Sequence, residues 1–535
     1  MRPYFRLKKL LDISLAAVGS ILLILGFPVF NQSFLLWFAL LPLLYLLLEK
    51  SLVASFLFGL VYGAIFFLGI FYWILEVAGY TYLHHALLAI YLGSYIGLFG
   101  LSYSLILKRL GITAGLAASP FIWTSLEYLR STASFLALPW GLLAHSQYQY
   151  PMIIQISSVL GLWGVSFLIV GANAGMTSLL ISMRPGNPKP SLLNLRLSYS
   201  KSALLIFVVA VFSVSATLVY GLWRTTRPIE GQPIRISIVQ GNIEQKKKWD
   251  PKYARDIMQR YGDLTIEASQ MRPELIVWPE TATPWSVSRH PQLMKEIQLL
   301  SIETNSRILF GSAEGQKFTS LLIGRNFHNT AFLIEPGQKI ENIQKYHKIK
   351  LFPFGEYLPY KEVIPWSWIG AADFGSYIPG SEYKLFKMDG ERFATTICWE
   401  NLFPDLVRRF VNRGAKFIVN ITNEAWFGET AAPEQFLSMN VFRAVENGVY
   451  VVRCANTGIS CFIDPCGRVV DRVRNEEGKI VFVSGFLTGE VVPLSPNTFY
   501  TSYGDWFPWL CITISIGFIL AAILAKNPKD SLRKT

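Results

Sequence analysis

Eight apolar stretches, each near the roughly 20 residues that cross the hydrocarbon core of a bilayer, constrain this chain more than any other feature. They cover about 11–30, 34–48, 52–75, 85–107, 112–130, 153–181, 203–223 and 506–525. Seven precede a long polar stretch and one follows it, so the sequence predicts an α-helical eight-span membrane domain with a large insert between spans seven and eight. Arg2, Arg6, Lys8 and Lys9 lead into the first stretch, and no small-residue cleavage site follows it, which makes it a span and not a cleaved leader. Lys50, Lys108, Arg109, Arg184, Lys189, Arg196, Lys201, Lys526, Lys529, Arg533 and Lys534 all fall on one side of this pattern. That side is cytoplasmic by the positive-inside rule, both termini with it, and the insert lies outside. The connections at 31–33 and 76–84 and the interior of 131–150 hold no Lys or Arg. The cytoplasmic loops and tails hold enough Lys and Arg to supply most of the formal charge of +13. With no basic stripe interleaved with aromatics, it does not point to nucleic acid.

The membrane part is poor in chemistry. Its ionisable residues are Asp12 at an edge, and Glu127 with Arg130 at i, i+3, the spacing of a helical salt bridge. The mid-membrane carboxylates and histidines of an ion or proton transporter are missing. Ala137-Leu138-Pro139-Trp140-Gly141 and His145-Ser146-Gln147-Tyr148 read as an aromatic belt at the outer interface or as a lipid contact. Composition changes at 224–228, giving three expected parts: 1–227 with seven spans, 228–498 as an extracytoplasmic catalytic domain, and 499–535 with the eighth span and a cytoplasmic tail. Within the insert, short apolar runs at 235–240, 275–278, 308–311, 330–334, 393–398, 417–421, 449–454 and 460–463 alternate with amphipathic stretches such as 252–270 and 291–303. Strands alternating with helices predict an α/β layered domain. No internal repeat is visible.

Five cysteines stand at 398, 454, 461, 466 and 511, without zinc spacing. Cys461 flanks and Cys466 occupies an Asp464-Pro465-Cys466-Gly467 turn, where a disulfide is conceivable. The six histidines are scattered, His84-His85 sit on an interfacial loop, and no phosphate-binding glycine loop occurs, so neither metal nor other cofactor is expected. Cys398 ends a β-type run, and 402–412 reads as a helix. That placement predicts a thiol pKa lowered by the helix N-terminus, as in a nucleophile, against the alternative of a buried structural cysteine. Carboxylates and lysines recur at neighbouring strand ends: Trp278-Pro279-Glu280, Lys345-Tyr346-His347-Lys348 and Pro353-Phe354-Gly355-Glu356. Thiol acyl chemistry needs a carboxylate to take the thiol proton, an ammonium for the oxyanion, and a second carboxylate to hold that ammonium. Residues 246–248 form a tight lysine run, read as a solvated face.

Trp278-Pro279-Glu280, Tyr346-x-Lys348 followed by Pro353-Phe354-Gly355-Glu356, Ile397-Cys398-Trp399-Glu400 and Thr422-Asn423-Glu424-Ala425-Trp426-Phe427-Gly428 together resemble the carbon–nitrogen hydrolase (nitrilase) superfamily. With seven spans before that domain and one after it, the chain resembles the superfamily's membrane branch, the bacterial apolipoprotein N-acyltransferases, over essentially its whole length. The resemblance implies an αββα four-layer sandwich and a catalytic triad of Glu280, Lys348 and Cys398. Cys398 would take an acyl chain from the sn-1 ester of a phospholipid, typically phosphatidylethanolamine. It would pass the chain to the α-amino group of a diacylglyceryl-cysteine at an apolipoprotein N-terminus, at the outer face of the cytoplasmic (inner) membrane. Glu280 would be general base and Lys348 would stabilise the oxyanion with backbone N–H groups near the elbow. Glu356, Trp399, Glu400 and Trp249 would support these residues or the substrate, and the enzyme would act as a monomer. At 424 many relatives carry Asp, and no catalytic role is assigned there.

Residues 362–380, with Trp366, Trp368, Ile369, Phe374 and Tyr377, form a long apolar loop that suits a gate for acyl chains or else packs onto the domain. Two rival readings remain open at this stage: a membrane-tethered amidase that gives its acyl group to water, and a transporter or receptor with a non-catalytic outer domain.

Overall fold

The structure is a computed structural model that describes residues 2–182, 193–315, 327–369, 377–495 and 498–525. The basic residues at 184, 189, 526, 529, 533 and 534, and positions 370–376 of the aromatic loop, lie outside the described residues. The chain divides into two compact units. One comprises the residues up to Leu75, Tyr80–Thr226 and the residues from Asp505 on; the other comprises Glu76–Gly79 and Arg227–Gly504.

Among the described residues of the first unit, five helices are long and apolar enough to cross a membrane, against the eight expected: Leu52–Ile70, Tyr82–Leu110, Trp163–Ser182, Lys201–Thr225 and Trp506–Leu524. The first apolar stretch belongs to the helix Arg2–Leu25, whose described apolar part, Leu10–Leu25, falls short of that length. Stretch 34–48 is four short helical pieces, broken where Pro42 lacks an N–H and crowds the preceding turn. Asn173 repairs that break. Its Oδ1 accepts from Leu40 N and Leu41 N, both at 3.0 Å, and its Nδ2 donates to Leu36 O at 3.0 Å, giving these three backbone groups partners in an apolar setting. Stretch 112–130 is one helix, Ile112–Thr132, but Pro120, Glu127, Arg130 and its hydroxyl residues keep it outside that group. The long stretch 153–181 splits at Gly161, which takes φ 66°, into the short helices Pro151–Ile154 and Ser157–Leu160 and the helix Trp163–Ser182.

Small residues set the closest helix packing. A Cβ on Gly59 would meet Ile96 O at 2.4 Å, and one on Gly93 would meet Leu60 O at 2.8 Å, so the helices Leu52–Ile70 and Tyr82–Leu110 touch backbone to backbone. Glu127 and Arg130 spend their hydrogen bonds on the next connection: Leu143 N donates to Glu127 Oε1 at 2.9 Å, and Arg130 donates to Leu138 O at 2.9 Å and Trp140 O at 2.8 Å. Trp140, His145, Ser146, Gln147 and Tyr148 are consequently buried within the unit. These residues are interior packing and not an interfacial belt.

The second unit contains two six-stranded sheets. The first, in the order β12-β1-β2-β3-β4-β5, is made of β1 (Ile234–Gln240), β2 (Leu275–Val277), β3 (Arg307–Gly315), β4 (Phe327–Ile334), β5 (Gln344–His347) and β12 (Gly485–Val491). The second, in the order β11-β10-β9-β8-β7-β6, is made of β6 (Phe386–Met388), β7 (Glu391–Ile397), β8 (Phe417–Thr422), β9 (Tyr450–Ala455), β10 (Cys461–Ile463) and β11 (Val469–Arg472). In each, three parallel strands, β1-β2-β3 and β7-β8-β9, are flanked by antiparallel ones. The two halves therefore repeat one pattern, strand-helix-strand-helix and then three strands. The repeat is invisible in the sequence because only the connectivity recurs.

The helices Ala254–Ser269 and Pro291–Glu303 cover the first sheet, and Pro404–Asn412 and Ala432–Asn447 cover the second. Ile276, Trp278, Ile308, Phe310, Phe332 and Ile334 pack with Ile257, Tyr261, Leu293 and Ile297 of the first pair of helices. Ile236, Ile238, Leu275, Val277, Leu309 and Leu333 are buried as well and alternate with that set along their strands, so they turn to the opposite face. The second sheet meets the first there, through β1 with β9 and β4 with β7. Cys454 of β9 donates its thiol to the carbonyls of Val239 and Val277 across the join. All five cysteines are free. The turn at Cys466 is closed by Asp464 Oδ1, which accepts from Cys466 N at 2.9 Å and Arg468 N at 2.8 Å, and needs no disulfide.

Candidate active site

Parallel strands send their carboxyl ends one way, and loops there collect side chains from several strands. Cys398 follows β7 directly, Asn423 follows β8, and Glu280 stands three residues beyond β2. Lys348 follows β5 and continues its pairing with β4, donating its backbone N–H to Asn329 O at 2.8 Å.

Cys398 adopts φ 55°, a left-handed conformation that costs a residue with a Cβ about 1–2 kcal/mol. Neighbours hold it there. Asn420 Nδ2 donates to Cys398 O at 3.2 Å, Arg453 in turn donates to Asn420 Oδ1 at 3.0 Å, and Ile397 N donates to Glu400 Oε2 at 2.8 Å. The residues after the cysteine form a 3₁₀ turn, Cys398–Leu402, and the α-helix begins only at Pro404. Helix lowering of the thiol pKa, expected from the sequence, is therefore overturned: burial first, then the charge of Glu280, push it well up, against Lys348 and Thr422. The resting group is a thiol, and it needs a base.

A carboxylate, that of Glu280, stands in a closed polar network. Glu280 Oε1 accepts from Asn329 Nδ2 at 2.8 Å and lies 3.5 Å from Lys348 Nζ, while its Oε2 accepts from Asn423 N at 2.9 Å. Lys348 Nζ donates to Glu356 Oε1 at 2.9 Å, the same oxygen that accepts from Asn329 Nδ2 at 3.0 Å, and Phe352 N donates to Glu356 Oε2 at 2.7 Å. Burial alone would lower the pKa of Lys348, but Glu356 and Glu280 outweigh it and hold the pKa above the ordinary value. The site thus offers a fixed ammonium, a carboxylate and a neutral thiol, a combination suited to acyl transfer through a thioester.

The remaining residues singled out from the sequence take different places. Glu400 is fully buried and binds the β5 exit to the elbow, accepting from Tyr346 Oη at 2.8 Å, Ile349 N at 2.7 Å and Lys350 N at 2.9 Å; burial pushes its pKa up to about 7 against the hydrogen bonds from Ile397 and Lys350. Trp399 is buried edge-on against Phe352 and Phe403 and donates to Lys350 O at 2.6 Å. Trp249 is 46% exposed. In the aromatic loop, Trp366 donates to Pro359 O and packs edge-on against Phe354, whereas Trp368 is 86% exposed. Glu424 is buried and paired with Arg453.

Sequence reasoning missed Asn329, Asn420 and Lys248. The two asparagines signal themselves only as polar residues inside apolar strand runs. Lys248, read as part of a solvated face, is 2% exposed and donates to the main-chain carbonyl of Glu280 at 3.1 Å. Among the described residues no group of three or more His, Cys, Asp or Glu is placed to hold a metal.

Gly311 allows the Glu280 loop to lie on β3. A Cβ there would come within 2.6 Å of Thr281 N and 2.7 Å of Glu280 Cα, both backbone atoms. Gly311→Ala is expected to cost about 2 kcal/mol of stability by overpacking and to lower turnover about 100-fold by displacing the carboxylate. Thermal unfolding and a steady-state acyl-transfer assay measure the two effects separately.

The sequence comparisons agree with one another. The profile described as "Carbon-nitrogen hydrolase" matches residues 235–484, and the one described as "Apolipoprotein N-acyltransferase N-terminal domain" matches residues 19–175. A protein of Geobacter metallireducens named apolipoprotein N-acyltransferase is 34% identical, covering 97% of this chain and 96% of its own. One of the same name from Chlorobaculum tepidum is 30% identical over 78% and 79% of the two chains. The apolipoprotein N-acyltransferase 1 of Treponema denticola is 29% identical over 97% and 98%.

Proposed function

The chain belongs to the apolipoprotein N-acyltransferase family, and from that premise we propose that Cys398, Glu280 and Lys348 carry a ping-pong acyl transfer from phospholipid to lipoprotein. It is a multi-pass membrane N-acyltransferase with a nitrilase-like domain, which we read as an αββα sandwich. Cys398 Sγ attacks the sn-1 ester carbonyl of a phospholipid as Glu280 takes the thiol proton, and Lys348 with nearby backbone N–H groups stabilises the oxyanion. The C–O bond breaks, Glu280 returns the proton to the glycerol oxygen, and a lysophospholipid leaves. The α-amino group of the diacylglyceryl-cysteine then attacks the thioester. Glu280 takes the nitrogen's proton, the C–S bond breaks, and the proton returns to sulfur. The observation that carries this reading is a thiol kept protonated beside a carboxylate and a doubly held ammonium.

Phosphatidylethanolamine suits the donor role, and the enzyme works as a monomer. The one-sided distribution of Lys and Arg supports eight spans with both termini cytoplasmic and the catalytic domain periplasmic, in the bacterial inner membrane. The test is incubation of the full chain in detergent with phosphatidylethanolamine and a diacylated lipopeptide. The expected result is a lipopeptide heavier by one acyl chain and an equal amount of lysophospholipid. Free fatty acid with an unmodified lipopeptide would instead show a hydrolase.

A further inference from the structure

Three consecutive lysines, at 246, 247 and 248, differ in what surrounds them. Lys246 is exposed, and Lys247 pairs with Glu244 over the ring of Tyr253. Lys248 turns inward because its own N–H and that of Lys247 both donate to Glu244 O, closing a tight turn that aims the third side chain at the site. Gln245 in the same turn accepts from Asn423 Nδ2 at 2.9 Å, and Asn423 N holds Glu280 Oε2. The turn is thereby tied to the Glu280 carboxylate, while Lys248 Nζ holds the Glu280 carbonyl. The charge that acts on Lys248 is that of Glu280, and Cys398 adds to it only once it becomes a thiolate. Lys348 and Glu356 lie beyond Glu280, and Asp250 faces away, capping the turn Pro251–Tyr253.

We propose that Lys248 is a positioning residue for the general base, fixing the Glu280 main chain and placing a titratable charge beside it that governs the passage of the Cys398 proton to Glu280. The proposal rests on the assignment of Glu280 as acceptor of that proton. Burial outweighs the pull of Glu280 and brings Lys248 down to about 7. Below that pH it is an ammonium that favours the negative charge on Glu280 more strongly than the one formed on Cys398, and so opposes uptake of the thiol proton. Above it, it is an amine and the opposition is gone. The ease of transfer therefore rises as pH passes through about 7.

Alkylation of Cys398 by iodoacetamide tests this without any lipid. The S–C bond forms, iodide leaves, and the thiol proton passes to Glu280 and on to solvent. Rates are taken at Cys398 by peptide mass, on the full chain in detergent, as ratios to wild type, which cancels the thiol's ordinary titration. Lys248→Arg, charged throughout, should match wild type at pH 6 and fall about tenfold below it at pH 8, the size of a one-unit change in proton affinity. Lys248→Met should run about tenfold above wild type at pH 6 and match it at pH 8. If Lys248→Met does not fold, Lys248→Arg alone decides. Ratios that are constant with pH, or that move the other way, overturn the proposal. Expected ratios together with a wild type that takes no acyl chain from phospholipid would leave the role of Lys248 standing and remove the acyltransferase reading.

Discussion

Cys398→Ala is expected to abolish the acyl-enzyme: after incubation with phospholipid the variant should show no mass gain of one acyl chain, and turnover should fall by about 10⁵-fold or more. The substitution removes a sulfur and leaves the elbow in place. Asn420 grips the Cys398 carbonyl and Glu400 the Ile397 N–H, so neither hold passes through the side chain. Thermal unfolding should therefore stay within about 1 kcal/mol of wild type, separating chemistry from folding. A variant that still gained an acyl chain, mapped to another residue, would dispose of Cys398 as the nucleophile.

Glu280→Gln is expected to be nearly as damaging, lowering single-turnover acylation by about 10³–10⁴-fold, the range general base catalysis supplies. Both Glu280 oxygens accept from fixed donors, Asn329 Nδ2 and Asn423 N. An amide NH₂ must therefore face a donor in either orientation. The change also leaves Lys348 with one carboxylate, Glu356, against the same burial, so the lysine's pKa falls from its raised position. The variant's acylation should consequently fail earlier on the alkaline side than that of wild type, as the oxyanion's ammonium loses its proton. A pH series of acyl-enzyme formation measures both effects, and a rate within tenfold of wild type would assign the base elsewhere.

How much of this was legible in the sequence varies with how the elements earn their burial. The strands buried on both faces stood out as continuous apolar runs, and the helices Ala254–Ser269 and Pro291–Glu303 by their one-sided patterning. The helix Ala432–Asn447 did not: every residue in it but Glu434 is buried, Gln435, Asn440, Arg443, Glu446 and Asn447 included, so no polar face marks its period. The edge strands β5, β6 and β11 are short and partly exposed, and they carry too few apolar positions to register. Among the described residues only five of the eight expected spans are single long apolar helices, because hydropathy does not report where a proline divides a stretch, as at Pro42. Glu280, Lys348 and Cys398 were singled out through their motifs. The electrostatics of the thiol were not, because they depend on burial and on Glu280, which lies 118 residues earlier in the chain (398 − 280).

The pairing of β12 with β1 has one more consequence. Ile234, where the second unit's first strand begins, sits opposite Val491, where its last strand ends. Apart from the short segment Glu76–Gly79, the chain enters and leaves this unit beside one hydrogen-bonded pair of strands, so the stretch between those strands can be spliced into, or out of, a host sequence without drawing the host's cut ends apart. Truncated genes keeping the helices, or the module alone closed by a short linker between its neighbouring ends, are the natural pieces in which to study such a recombination.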